Sequence, residues 1–143
     1  MTINPGFVFG PPLSDRDDST SVAYISSILS GKTPEISRAA KFSVIDVRDV
    51  VKAHVEGMLN EKASGRYLTC HSTSVFTTEI AEILAKEFPK CSVTKKFVGD
   101  VVPVGKYDNS KLIELIGPLI TPEESVKDMA RVLIDFGLVK ETE

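Results

Sequence analysis

Tyr107-Asp108-Asn109-Ser110-Lys111 sets a phenol and an ammonium four residues apart. On a helix such residues share a face, and the lysine lowers the phenol's pKa so that it can protonate a forming alkoxide. The surroundings predict no helix under Tyr107: Pro103 and Gly105 precede it, and the helical pattern begins near Asn109. Tyr107 and Lys111 are therefore read as a chance spacing. His54 lies among apolar neighbours in a predicted helix and reads as a core or boundary histidine rather than a metal ligand. His71 follows Cys70 on a predicted strand, where adjacent side chains point to opposite faces, so the two do not converge as metal ligands or as nucleophile and base. Three acidic pairs, Asp46/Asp49, Glu79/Glu82 and Glu123/Glu124, lie at or near predicted helix N-termini, where carboxylates cap and complement the dipole. The glycines form neither GxGxxG nor a Walker loop, the two turns that cradle phosphates. No residue is assigned a catalytic or metal-binding role.

The elements that would position any site come next. With 143 residues, 42% hydrophobic and 26% charged, the chain is sized for one globular unit rather than for disorder. A net charge of −3 argues against sequence-independent nucleic-acid binding. No apolar run approaches the roughly 20 residues of a membrane helix, and the first residues lack a signal peptide's basic head and apolar block. The expected setting is cytoplasmic, with Cys70 and Cys91 as reduced thiols.

Thr2 to Phe9 reads as an apolar strand ended by Gly10-Pro11-Pro12. Ser19 to Ser30 is a helix with Val22, Ile25, Ile28 and Leu29 on one face and Gly31 behind it. Lys41 to Ile45 is a buried strand, after which Asp46 or Asp49 caps a helix to about Leu59. Arg66 to Cys70 is a strand. Thr77 or Thr78 opens a helix that Pro89 ends. Ser92 to Val104 is loop with one short strand, Asn109 to Ile116 a short helix, and the last helix starts near Thr121 with Pro122 in its first turn. This order makes the class α/β. A strand at residue 3 with apolar residues on both faces is expected to belong inside a larger sheet.

Four ordered blocks carry a resemblance. Ile3-Asn4-Pro5-Gly6-Phe7-Val8-Phe9-Gly10-Pro11-Pro12-Leu13, Val44-Ile45-Asp46-Val47-Arg48-Asp49-Val50-Val51-Lys52-Ala53-His54, Ala63-Ser64-Gly65-Arg66-Tyr67-Leu68 and Tyr107-Asp108-Asn109-Ser110-Lys111-Leu112 with Gly117 resemble the NPxxVxGPPL, VDVRDVAxAH, ASGRYL and DNSK blocks of extended short-chain dehydrogenase/reductases. Among these the blocks resemble those of the dihydroflavonol reductases, the cinnamoyl-CoA reductases and the related fungal aldehyde/ketone reductases. The resemblance implies the C-terminal part of a Rossmann-type reductase: the last sheet strands and a small α/β substrate-binding domain. Residues 1–143 are then one incomplete unit without the glycine-rich cofactor half. The family's catalytic Tyr-x-x-x-Lys precedes the Pro-x-x-Val stretch, which again leaves Tyr107 and Lys111 outside catalysis.

What the resemblance implies for the site is specific. Pro5, Gly6, Phe7 and Val8 match the segment that passes the nicotinamide, with Gly6 where relatives often carry Ser, Thr or Ala. Counting back from the helix-closing Gly31 assigns Ser21 to the cofactor, with Ser19 and Thr20 adjacent. Ser43 falls where relatives line the substrate pocket. Asp46, Asp49 and His54 are architectural. The cofactor is expected to be NADP, with NAD as the alternative, and the substrate a small aldehyde, ketone or corresponding alcohol. The isolated chain is expected to be inactive. No nucleic-acid or membrane partner is expected. Two other roles stay open: a shortened relative that binds another protein through its strand edge, and a chain with no role of its own.

Overall fold

In a computed structural model that describes residues 1–142, Gly6 divides the first strand in two. β1 (Thr2–Pro5) runs parallel to β6 (Arg66–Thr69), and β2 (Phe7–Phe9) runs parallel to β5 (Val44–Asp46). The change of partner is made by two successive amides: the Gly6 N–H donates to the Thr69 carbonyl at 3.0 Å, and the Phe7 N–H donates to the Ser43 carbonyl at 2.7 Å. The expected single strand over Thr2–Phe9 is thus two, because Gly6 lets the backbone of residue 43 approach where a side chain would stand. A Cβ at Gly6 would collide with the Ser43 carbonyl oxygen.

Lys41–Ile45 divides in the same way. β4 (Lys41–Phe42) pairs antiparallel with β7 (Val75–Phe76), while β5 turns to β2. A fourth ladder joins β3 (Ile36–Ser37) in parallel to β8 (Phe97–Val98). The pattern reading missed β3 and β7, since two residues show no alternation.

The helices fall close to expectation: α1 (Thr20–Leu29), α2 (Val47–Leu59), α3 (Thr77–Glu87), α4 (Ser110–Ile116) and α5 (Pro122–Asp135). Asp46, not Asp49, caps α2, accepting the Arg48 N–H at 2.8 Å. Thr121 caps α5, and Pro122 occupies its first turn, where a missing N–H costs nothing. Gly117 closes α4 at φ +79°, in the left-handed region.

Two apolar cores result. The larger joins α1, α3 and α5 through Ile25, Leu29, Ile80, Leu84, Met129 and Leu133. The smaller joins β5, α2 and α4 through Ile45, Ala53, Leu112 and Ile116, with Ile3 and Val8 against it. His54 belongs to neither: it is exposed, and its Nδ1 donates to the Val50 carbonyl at 2.8 Å. The core reading of His54 is corrected, and its cause is the second apolar stripe of α2. Val51, Val55 and Met58 face solvent, opposite the buried Asp49, Ala53 and Gly57, so apolar neighbours did not mark the inward face.

Candidate functional site

The strand that Gly6 redirects leads straight into a groove. After Phe9 the chain turns at Gly10, whose φ of +109° excludes most side chains and where a Cβ would sit 3.0 Å from both Asp46 carboxylate oxygens. Pro11 and Pro12 prevent further ladder pairing. The chain then returns through Ser14 and Arg16 to the start of α1. Between these segments lies an open groove of about 420 Å³. One wall is Val8, Phe9, Gly10 and the two prolines. The other carries Ser19 and Ser21 at the head of α1 with Arg16 and Asp18 before it, and Val47 and Met129 also line the groove. An apolar wall facing serine hydroxyls suits a molecule with a flat uncharged ring and a polar end, and the Arg16 charge is balanced by Asp18 in the same lining. The Arg16 guanidinium is gripped by Asp18 through bonds of 3.0 and 2.8 Å, and both groups are exposed. The Ser19 and Ser21 hydroxyls lie 3.3 Å apart.

The residues assigned from sequence divide between this groove and its flank. Val8 and Ser21 line it together. Pro5 ends β1 and Gly6 is the redirecting residue. The Phe7 ring turns into an aromatic cluster, 4.8 Å from Phe42, 5.1 Å from Phe9 and 5.6 Å from Tyr24. Ser43, 37 positions after Gly6, stands directly against it: its carbonyl holds the Phe7 amide, and its Oγ would lie 2.9 Å from a Cβ at Gly6. The cofactor-assigned and substrate-assigned backbones are therefore in contact. Sequence reasoning missed Arg16, Ser19 and Met129 as groove residues; Ser19 was adjacent to the assigned Ser21, while Met129 carries no signal beyond its place on a helix face.

A buried charge lies against Gly10 of the groove wall. Asp46 is fully buried, and its carboxylate receives the Arg48 Nε at 2.8 Å, the Arg48 NH2 at 2.9 Å and the Arg48 backbone N–H. Burial alone would push the Asp46 carboxyl up. The Arg48 guanidinium, the Ser125 hydroxyl and the backbone amide outweigh it, so the group sits below the ordinary carboxylate range. Arg48 reaches on to Asp128 of α5 at 2.9 Å, which ties α2 to the helix that carries Met129. This is an architectural arrangement, with every charged member partnered.

Tyr107 and Lys111 are not brought together as a helical pair. α4 begins at Ser110, so Tyr107 precedes it. The Lys111 ammonium donates to the Ser64 carbonyl at 2.5 Å and lies 4.2 Å from the Tyr67 ring centroid. Cys70 and Cys91 are free, buried thiols. Among the described residues no group of three or more His, Cys, Asp or Glu is placed to hold a metal ion, and no helix is long and apolar enough to cross a membrane.

Comparison with known proteins gives the same direction. No family model matches the chain. The chain is 31% identical over 140 residues to cinnamoyl-CoA reductase 1 of Arabidopsis thaliana, covering 96% of this chain and 40% of that one. It is 32% identical over 141 residues to cinnamoyl-CoA reductase 2 of Medicago truncatula, with coverages of 96% and 41%. Among solved structures, the yeast methylglyoxal/isovaleraldehyde reductase Gre2 complexed with NADPH superposes with a TM-score of 0.73 at 25% identity, over 94% of this chain and 46% of that one. Gre2 of Candida albicans gives 0.74 at 28%, over 95% and 44%. The chain thus spans about two fifths of the curated relatives it matches. Its alternating strands and helices are those of a Rossmann-type reductase domain, and it is broadly related to the short-chain reductases and dehydrogenases of the cinnamoyl-CoA reductase and Gre2 kind.

Proposed function

We propose that these residues form the C-terminal, substrate-side portion of an NAD(P)H-dependent oxidoreductase acting on the aldehyde, ketone or corresponding alcohol of a small organic substrate. The observation that carries the reading is that Val8 and Ser21, 13 positions apart in sequence, wall one groove beside the Gly6–Ser43 contact. The donor set fits a nicotinamide dinucleotide: the Val8 side chain and the backbone polar groups of Pro5 to Val8 for the ring and its carboxamide, and the hydroxyls of Ser19 and Ser21 for the anionic part. NADP is the preferred form, and NAD the alternative. When bound, the cofactor supplies the hydride.

The chain's own residues orient. Pro5 fixes φ and Gly6 removes a side chain, so the backbone can approach a planar ring closely. Ser43 sits behind that segment, where a substrate meets it. Asp46 and Arg48 hold the strand end and helix start that shape the groove. No residue of this chain is given the proton-donating role; Tyr107 and Lys111 lie outside it, and the 143 residues alone are expected to reduce no carbonyl.

A chimera tests this: the chain replaces the matched 46% of yeast Gre2, and NADPH oxidation is followed with methylglyoxal. The expected result is a folded chimera that binds NADPH and turns over, with Val8→Asp abolishing binding. A chimera that is folded by circular dichroism yet does not bind NADPH overturns the reading.

A further inference from the structure

We infer that the α4–α5 connector is a pH-sensitive latch, its Ile120 peptide group clamped on one side by the buried Asp49 carboxyl and on the other by the His71 imidazole. This inference stands apart from the reductase reading and uses residues to which that reading gives no role.

The geometry is a two-sided grip. The Ile120 N–H donates to Asp49 Oδ2 at 2.9 Å, and the Ile120 carbonyl accepts from His71 Nε2 at 2.9 Å. A carbonyl cannot donate, so His71 carries its hydrogen on Nε2. His71 is itself anchored, its backbone N–H donating to the Val44 carbonyl at 2.9 Å. The connector runs from Gly117, at φ +79°, to the α5 cap Thr121, and it is the chain's passage from the smaller core to the larger. Released, it frees the Ile120 peptide, while α5 stays tied to α2 through Arg48 and Asp128. Held, it fixes the entry into α5 just ahead of the Thr121 cap.

The proton dependence follows from what surrounds Asp49. The residue is 4% exposed, and its side chain receives one hydrogen bond, from Ile120. From the end of β5 it faces the buried carboxylate of Asp46. From α2 it faces Lys52, whose ammonium is committed to the Ile116 carbonyl at 2.6 Å. From the segment after β6 it faces His71, and the connector itself offers a backbone N–H. Arg48 is turned to Asp46 and Asp128. Burial is the largest influence on Asp49 and pushes its carboxyl up, Asp46 adds to it, and the Ile120 amide, His71 and Lys52 offset only part. Opening the connector returns Asp49 to water and to its ordinary value of 3.8. A group whose pKa is raised in the closed form favours closure below its ordinary pKa, and that favour is lost as pH rises through the raised value. The latch is therefore tightest in acid and eased toward neutrality.

Amide hydrogen exchange of the ¹⁵N-labelled chain between pH 3 and 7, corrected for intrinsic rates, tests this. The protection of Ile120 is expected to fall with rising pH, about tenfold for each unit by which Asp49 is raised, while Leu84 in α3 shows no such dependence. Asp49→Asn, which keeps an acceptor for the Ile120 N–H without the charge, is expected to flatten the Ile120 profile. His71→Ala is expected to lower Ile120 protection at every pH while leaving the slope. A wild-type Ile120 profile parallel to that of Leu84 overturns the latch, and so does a slope that survives in Asp49→Asn.

Discussion

Asp46→Ala removes the one carboxylate that caps α2 and holds Arg48, and its cost can be worked from the contacts. The cap is an N–H bond at 2.8 Å, worth about 1 kcal/mol when lost to alanine. The side-chain pair is bidentate and its acid is fully buried, and breaking such a pair costs about 3–5 kcal/mol when the survivor is left buried and alone. Arg48 is not left so: its side chain is 39% exposed and keeps Asp128 at 2.9 Å. The lower end of the range applies, and with the cap the total expected is about 4 kcal/mol. Urea unfolding followed by far-UV circular dichroism at pH 7 measures it, with m-values to confirm a common unfolded state. Asp46→Asn retains the cap acceptor and should lose about half as much. The Asp46 carboxyl sits below its ordinary value of 3.8, so its stabilisation is present above that pH and is lost as pH falls through the lower, folded value. The gap between wild type and Asp46→Ala should therefore close in strong acid. A loss under about 0.5 kcal/mol at pH 7, or an asparagine variant as damaged as the alanine, refutes the reasoning.

Other outcomes follow from the same structure. Gly6→Ala forces its methyl against the Ser43 carbonyl and should cost about 1–3 kcal/mol by the same urea assay, because the clash is with backbone rather than a flexible side chain. Burial raises both the Cys70 and Cys91 thiols, so a disulfide-exchange reagent should titrate no fast thiol in the native chain and both in denaturant. Lys111→Met removes the contacts with Ser64 and Tyr67 and should lower Tm slightly, while leaving the NADPH affinity of the Gre2 chimera unchanged; a lost affinity would return Lys111 to the cofactor site.

The helices were legible because their punctuation is local. Pro89, Pro122, Gly31 and Gly117 mark ends through their own backbone limits, and Val22, Ile25, Ile28 and Leu29 mark a single inward face. The strands were half legible. Apolar runs announced Thr2–Phe9 and Lys41–Ile45, but the change of partner at Gly6 depends on Ser43, and nothing within either run encodes it. The two-residue strands β3 and β7 have no pattern to read. α2 misled through its two apolar faces, so His54 reads as a core or boundary residue when it is exposed. For the site, the resemblance supplied Pro5 to Val8, Ser21 and Ser43, and the structure brings Val8 and Ser21 to one groove and Ser43 against Gly6. Arg16 escaped because a charged loop residue has no periodicity, and Met129 because groove and core methionines look alike in sequence.

The hand-over at Gly6 also bears on the order of assembly. β1 pairs with residues 64 positions downstream and β2 with residues 37 downstream. Neither ladder can form locally, and closing such loops is entropically costly before any contact repays it. During synthesis the Gly6 amide waits until Thr69 is free before it finds its acceptor, whereas α1 can wind at once. Residues 2–9 thus settle only after their later-made partners, and through that interval the apolar segment Phe7-Val8-Phe9 is open to pairing with any other strand edge.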